Sequence, residues 1–471
     1  MKPVRHLFRG ALALLAASAV ACSLVPAYQR PEVKIPASFR EAPAYWGTAT
    51  PADDQPRTAW WQAFDDPVLD ALEVEATASN QGIAAALAAY DGAQAVVRGS
   101  RADLWPGVTA GIGTTRAGGS GLSGPARRAT ASVNASWTPD LFGGLRAAVA
   151  QDQAAALASR ASLGNVLLAI HAEVASDYLL LRGLDAQLDA YQATITGYRR
   201  AVAITANRYR AGVAPHADLL QAETTLHDAS AQLLEMQRQR AVLEHALAML
   251  LGHPPADFSL VGQAWAARIP PVPAILPSEL LQRRPDVAAA ERDVMATNAA
   301  IGVQRAAWFP SLGVTGSKGR SAQTLGDLGS EGSAVWSLGV TGLITLLDWG
   351  GRSARVDQAR AAYRQAVANY RQVVLGALQQ TEDGLADLSS YAGQAGELEA
   401  ASAAADKVEQ MMLNQYLAGV ADYTAVVTAQ NTALAARRAA IAATVQQQQA
   451  VVALTQAIGG GWDDRLPPAG R

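Results

Sequence analysis

Cysteine is almost absent from this chain: 471 residues contain one, Cys22. A lone thiol cannot form an internal disulfide, so no covalent staple holds the fold. Histidine is also scarce. The six histidines, at 6, 171, 216, 227, 245 and 253, form no HExxH, and the chain has no CxxC and no phosphate-binding glycine loop. That pattern argues against an enzyme and implies no cofactor and no metal. Glu223 and His227, one helical turn apart, read as a solvated pair. Aromatics make up 6% and the net charge is −3, so nothing suggests a nucleic-acid partner. Beyond the N-terminus there is no run of about 18 uncharged apolar residues, the length a transmembrane helix needs. A membrane crossing would have to be made of strands.

The N-terminus contains what the rest lacks. Lys2, Arg5 and Arg9 precede an apolar stretch from Ala11 to Val20, the layout of an export signal. That stretch is shorter than the roughly 20 residues of a membrane span, so residues 1–21 read as a cleaved signal peptide. Ala19, Val20 and Ala21 lead into Cys22 in a pattern that resembles the lipobox of bacterial lipoproteins, which makes Cys22 the expected lipid attachment point. Ser23, following it, resembles the sorting signal for the outer membrane.

The chain is internally duplicated. "SRADLWPGVTAGIG" (100–113) returns as "QRAAWFPSLGVTGS" (304–317), and "DLFGGLRAAVAQDQAAA" (140–156) as "LDWGGRSARVDQARAA" (347–362). "NRYRAGVAPHADLLQAETTL" (207–226) returns as "NQYLAGVADYTAVVTAQNTAL" (414–434), and matched residues stand 204 to 207 apart throughout. The expected organisation is an acylated extended segment over 22–59, a first repeat over 60–265, a second over 266–458 and a tail over 459–471. Within each repeat a Trp-Pro or Phe-Pro step ends a helix. Two strand-like stretches follow, within about 105–139 and 310–347. Ala131, Val133, Ala135 and Trp137 alternate with Thr130, Ser132, Asn134 and Ser136. Trp336, Leu338, Val340, Ile344 and Leu346 oppose Ser337, Gly339, Thr341 and Thr345. Such period-two alternation marks a sheet with one wet and one apolar face.

After each Gly-Gly corner comes a long helical hairpin, over about 144–251 and 350–458. Ile170, Val174, Tyr178, Leu181, Leu188, Tyr191, Ile195, Tyr198 and Val202 step by threes and fours. So do Tyr363, Val367, Tyr370, Val374, Leu378, Leu385, Leu388, Leu398, Ala405, Val408 and Met412. This spacing predicts coiled-coil packing of helices about 90 Å long at 1.5 Å per residue. Gly212 and Gly419 suit the left-handed position that ends a helix, and Asp422 suits the cap of the next. The charged trio Glu291, Arg292 and Asp293 reads as an exposed helix face. The fold class is mainly α with a small β part. Four strands are too few to close a barrel, and lipid tolerates no open edge. Either the sheet avoids the membrane or several chains share one barrel.

"CSLVPAYQRPEV" (22–33), "WWQAFDDPVLDALEVEATASNQGI" (60–83), the two Y-x-x-G turns, "RRPDVAAAERDVMATNAAIGVQRAAWFPSL" (283–312), "LLDWGGR" (346–352) and "IGGGWD" (458–463) together resemble the TolC-like outer membrane factors, in particular the OprM/NodT-type efflux lipoproteins. The resemblance spans essentially the whole mature chain. It implies a homotrimer in which three sets of four strands form one twelve-stranded transmembrane barrel and the long helices form an α-barrel through the periplasm. It further implies passive conduction of drugs or other small toxic compounds, handed over by an inner-membrane RND-type pump through a periplasmic membrane-fusion adaptor. A duct for type I polypeptide secretion and a non-conducting lipid-anchored coiled-coil scaffold are the alternatives. By the same resemblance the adaptor-contact tips are Gly212, Val213, Ala214, Gly419 and Val420, and the periplasmic gate is Val420 and Asp422. Some relatives carry acidic residues further along the gate helix, where this chain has Ala425 and Thr428. Cys22 would tether the protein to outer membrane lipid.

Overall fold

The computed structural model describes residues 24–42, 59–118, 126–263, 265, 267–272, 275, 277–279 and 283–460. The signal segment, Cys22 and the tail from 461 onward lie outside the described residues. In chain order the elements are α1 (Pro67–Ser79), α2 (Gln81–Ala102), β1 (Gly107–Ala117), β2 (Ala126–Trp137), α3 (Gly144–Arg210), α4 (His216–Leu250), α5 (Pro285–Ala306), β3 (Ser311–Ala322), β4 (Ala334–Leu343), α6 (Gly351–Leu417) and α7 (Tyr423–Ala457). Among the described residues no helix is long and apolar enough to cross a membrane. Contacts divide the chain into two units: residues 1–33, 88–160 and 288–372 form one, and 34–87, 161–287 and 373–471 the other. Each unit draws on both copies of the duplication.

The first unit carries one antiparallel sheet in the order β1-β2-β3-β4. Directly opposed residues share a face, and the register sorts most of them by polarity. One face holds Thr109, Thr130, Ser132, Asn134, Thr315, Ser317, Ser337 and Thr341. The other holds Val108, Ile112, Val133, Trp137, Val314, Trp336, Leu338 and Val340, and of these Trp336 is 79% exposed. β4 ends at Leu343, so Ile344 and Leu346 fall outside the strand the alternation suggested. The reason is the register: Leu343 is opposite Ser311, the first residue of β3, and Pro310 before it has no amide to donate.

Both Gly-Gly corners are built alike. Gly143 and Gly350 take positive φ of 79° and 90°. Asp140 accepts from the Arg146 amide at 2.8 Å, and Asp348 from the Arg352 amide at 2.9 Å, anchoring the first turns of α3 and α6. The charged trio on α5 is not a purely solvated face. Glu291 is half-buried and takes the Arg30 guanidinium at 2.9 Å and the Tyr28 hydroxyl at 3.3 Å. Asn298 on the same helix donates to the Pro26 carbonyl at 2.8 Å, and a Cβ at Gly302 would sit 2.5 Å from Val25 Cγ2. The N-terminal segment is therefore strapped along α5, an arrangement its sequence separation from α5 concealed.

In the second unit the threes-and-fours stripe becomes core: Val174, Tyr178, Leu181, Tyr191, Ile195 and Tyr198 are all buried. α1 starts at Pro67, whose missing amide costs nothing at that position. Asp66 caps it, accepting from the Val68 amide at 2.9 Å and from the Tyr178 hydroxyl at 2.7 Å. Its apolar side, Leu69, Leu72 and Ala76, packs into the cluster of Val174, Leu181, Leu247 and Leu454. Backbones approach closely where side chains vanish: a Cβ at Gly183 would lie 2.2 Å from Val445 Cγ2. Burial also reaches polar groups the apolar pattern did not reveal. Arg182, 2% exposed, donates to Tyr178 Oη at 3.0 Å and to Asp185 at 3.0 Å, and Arg240 closes on Asp185 at 2.6 Å.

Glu73 on α1 is fully buried; its Oε2 meets His171 Nδ1 at 2.6 Å while Oε1 has no partner. The His171 ring stacks on Trp61, with centroids 4.5 Å apart. Burial pushes the Glu73 carboxyl up from its ordinary 4.5 to about 7; the hydrogen bond and charge of His171 oppose this and the Asp70 charge adds to it. The native state thus keeps a proton that the unfolded chain releases. The stabilisation is complete below the unfolded value of 4.5 and is lost as pH rises through about 7, on the order of 3 kcal/mol in all. Melting of wild type and Glu73→Gln at pH 5 and pH 8 checks this: the variant should gain relative to wild type at the higher pH. A pH-independent difference would contradict it.

Candidate functional site

The residues singled out at the two hairpin turns all lie in the second unit, and the turns are built by one rule. In the first, Gly212 (φ 70°) donates to Tyr209 O at 2.9 Å and Val213 to Arg208 O at 2.9 Å. In the second, Gly419 (φ 74°) donates to Tyr416 O at 3.0 Å and Val420 to Gln415 O at 2.9 Å. This pair of bonds is the Schellman closure, which satisfies the last carbonyls of a helix and requires a left-handed residue that glycine adopts without strain. The closure projects the next residue outward: Val213 is 64% and Val420 78% exposed. Ala214 follows Val213 as a half-buried residue.

The return helices begin differently. α7 is capped by Asp422, whose Oδ1 accepts from the Ala425 amide at 2.9 Å. α4 begins after Pro215, which offers no side-chain bond. Asp422 is exposed. Its charge reaches Asp218 in the first turn of α4: burial first, then Asp422, push the Asp218 carboxyl up, while Arg208 pulls it down.

Sequence reasoning missed the aromatic clasp behind each turn. Tyr416 and Tyr423 bracket Gly419 and meet edge to face at 5.1 Å, and Tyr209 and His216 bracket Gly212 at 4.8 Å. The signal was present as rings seven residues apart, straddling the glycine in both copies. Arg208 joins the second clasp, its guanidinium 4.7 Å from the Tyr416 ring and donating to Leu417 O at 3.4 Å. Tyr423 is 2% exposed and packs with Ala222, Val426 and Val427. Burial, followed by the charges of Tyr416 and Asp218, pushes its phenol up to about 12, so it stays neutral. The clasp fixes how far apart the helix ends stand, and so positions the exposed valines and Asp422. Among the described residues no group of three or more His, Cys, Asp or Glu could hold a metal ion.

Removing the cap should be felt locally. Asp422→Ala is expected to cost about 1 kcal/mol, read as severalfold faster amide exchange in the first turn of α7. Asp422→Asn should restore protection; unchanged exchange in the alanine variant would mean the cap carries no weight.

Comparison with known proteins agrees with this architecture. Residues 72–253 and 276–460 match the family described as outer membrane efflux protein. The chain is 30% identical over 458 residues to the probable efflux pump outer membrane protein TtgC of Pseudomonas putida, covering 95% of this chain and 94% of that one. It is 28% identical over 447 residues to the cation efflux system protein CusC of Escherichia coli, covering 94% and 96%. The solved outer-membrane channel OprN superposes with a TM-score of 0.82 at 26% identity, over 94% of this chain and 100% of that chain. The open state of the Neisseria gonorrhoeae MtrE channel does so with a TM-score of 0.82 at 25% identity, over 93% and 98%. With both repeats matched nearly end to end, the chain belongs to the outer membrane efflux protein family.

Proposed function

We propose that this protein is the outer membrane channel of a tripartite efflux pump, and that it conducts passively as a homotrimer. One observation carries the reading: a four-stranded sheet with one polar and one apolar face and with both edge strands, β1 and β4, unpaired. Unpaired backbone groups are not tolerated in lipid, and three such sheets side by side close into a barrel without edges. The Ser/Thr/Asn face then lines water and the Val/Leu/Trp face meets lipid. The helical part has a matching need. Along α6 the apolar stripe fades from core toward the surface, with Tyr370 and Val374 fully buried, Leu398 and Ala405 half-buried and Val408 43% exposed, as expected of a helix awaiting a neighbouring chain.

In this reading the turns at Gly212–Ala214 and Gly419–Val420 receive a periplasmic adaptor, and Val420 and Asp422 narrow the periplasmic mouth. The exposure of both residues supports these roles, as does the rigid clasp behind them. An inner-membrane RND-type pump would load the channel and choose its cargo. The relatives are named for toluene, solvents, antibiotics and cations, consistent with a conduit that selects little. Cys22, acylated, would add a lipid anchor.

Reconstitution into planar bilayers tests the channel and the gate together. The wild-type protein should give small, discrete conductances, and the Val420→Ala/Asp422→Ala double variant should raise single-channel conductance severalfold. A protein that inserts but never conducts, in either form, would sink the channel reading and favour a scaffold. Equal conductance in both forms would move the gate elsewhere.

A further inference from the structure

The apolar face of the sheet is not wholly apolar. The register places four cations on it: Arg116 opposite Arg127, Lys318 opposite Val133 and Trp336, and Arg320 opposite Ala131 and Ala334. Among the described residues that face holds no carboxylate. All four lie toward one end, where β1 passes into β2 and β3 into β4, opposite the end where the strands join α2, α3, α5 and α6.

A lysine or arginine on the lipid face is costly at the membrane midplane and nearly free at the interface, so a clustered set marks a headgroup level. These cations are also under-partnered. Arg116 and Arg127 are directly opposed like charges, a destabilising cross-strand pair unless an anion lies between them. Arg116, Arg127 and Lys318 are exposed. Arg320 commits one nitrogen, Nη1, to Leu328 O at 2.9 Å, Ser330 O at 3.3 Å and Ser333 Oγ at 3.3 Å, which pins the guanidinium and leaves Nε and Nη2 to bind elsewhere. The 317–337 ladder beneath is held by a 2.8 Å bond between the two serine hydroxyls on the polar face, so the platform is fixed.

We propose that Arg116, Arg127, Lys318 and Arg320 form a docking site for the phosphates of an outer-leaflet phosphoglycolipid. The charge match on the strand face is one-sided: four cations, with the carboxylates Asp327 and Glu331 confined to the β3–β4 loop, and apolar neighbours Ile112, Val133, Trp336 and Leu338 on which acyl chains can lie. Arg320 and Lys318 lie one strand over from Arg127, level with Ala131 and Val133 and so four and six residues along, about 14 and 20 Å at the rise of a strand. That spacing meets two phosphates rather than one, and guanidinium groups bind phosphate through paired hydrogen bonds. The site rests on the outer-membrane reading, which places this end of the sheet in the outer leaflet.

The test is native mass spectrometry of the detergent-purified assembly titrated with diphosphorylated lipid A and with its dephosphorylated form, alongside bilayer conductance. Wild type should bind the diphosphorylated lipid at least tenfold more tightly than the dephosphorylated one, with the preference falling as salt rises. The R116Q/R127Q/K318Q/R320Q variant should lose that preference while still conducting. A second variant, R116K/R127K/R320K, should keep most of it, and R128Q, on the polar face, should leave it unchanged. A conducting wild type with no phosphate preference, or a quadruple glutamine variant that keeps it, would overturn the site and leave the channel intact. A protein that neither inserts nor conducts would overturn both.

Discussion

The constraint on which the structure depends is that a backbone amide in hydrocarbon must have a partner. Among the described residues no helix is apolar enough to cross a membrane, and the four strands that alternate polar and apolar faces have two free edges, which meet the requirement only in company. The duplication fits this requirement: each copy supplies one hairpin of the sheet and one long helical hairpin. The helices inherit a parallel problem, since the α6 stripe that is buried at Tyr370 and Val374 is only half-buried at Leu398 and Ala405 and exposed at Val408. Sheet and helices thus ask for the same remedy from neighbouring copies.

Within a single chain, a core of bulky side chains such as Tyr178, Leu181 and Leu454 is joined by close backbone approach and by capped helix ends. Gly183 admits Val445, Gly302 admits Val25, and Asp66, Asp140, Asp348 and Asp422 each hold a first turn. The buried polar groups are embedded in this frame. Glu73 with His171, and Arg182 with Asp185 and Arg240, sit where several segments converge in the second unit. A buried ion pair is poor evidence for stability, yet removing one partner leaves the other charge uncompensated, which makes the Arg182–Asp185–Arg240 group costly to half-remove.

Much of this was legible in the sequence because it is periodic. Alternation named the strand faces, threes and fours named the core from Val174 to Tyr198, and repeated glycines named the turns. What stayed hidden is not periodic. Arg30 finds Glu291 across 261 residues, and no local pattern announces a strap of that span. Lys318 and Arg320 resemble loop-end charges until the register sets them beside Val133 and Ala131 on the apolar face. The clasps at Tyr209–His216 and Tyr416–Tyr423 lay in plain view but required reading across a turn rather than along a helix.

The two turns of one chain share their closing geometry and differ in how the next helix begins, at Pro215 in one and Asp422 in the other. Perfect repeats in a trimer would give a ring of six equivalent corners and a sixfold axis. Only the second corner of this chain carries the capping carboxylate, so the two copies are not equivalent. A substitution at Asp422 therefore loosens one corner and leaves the other as it was, so the two turns of one chain can be altered independently.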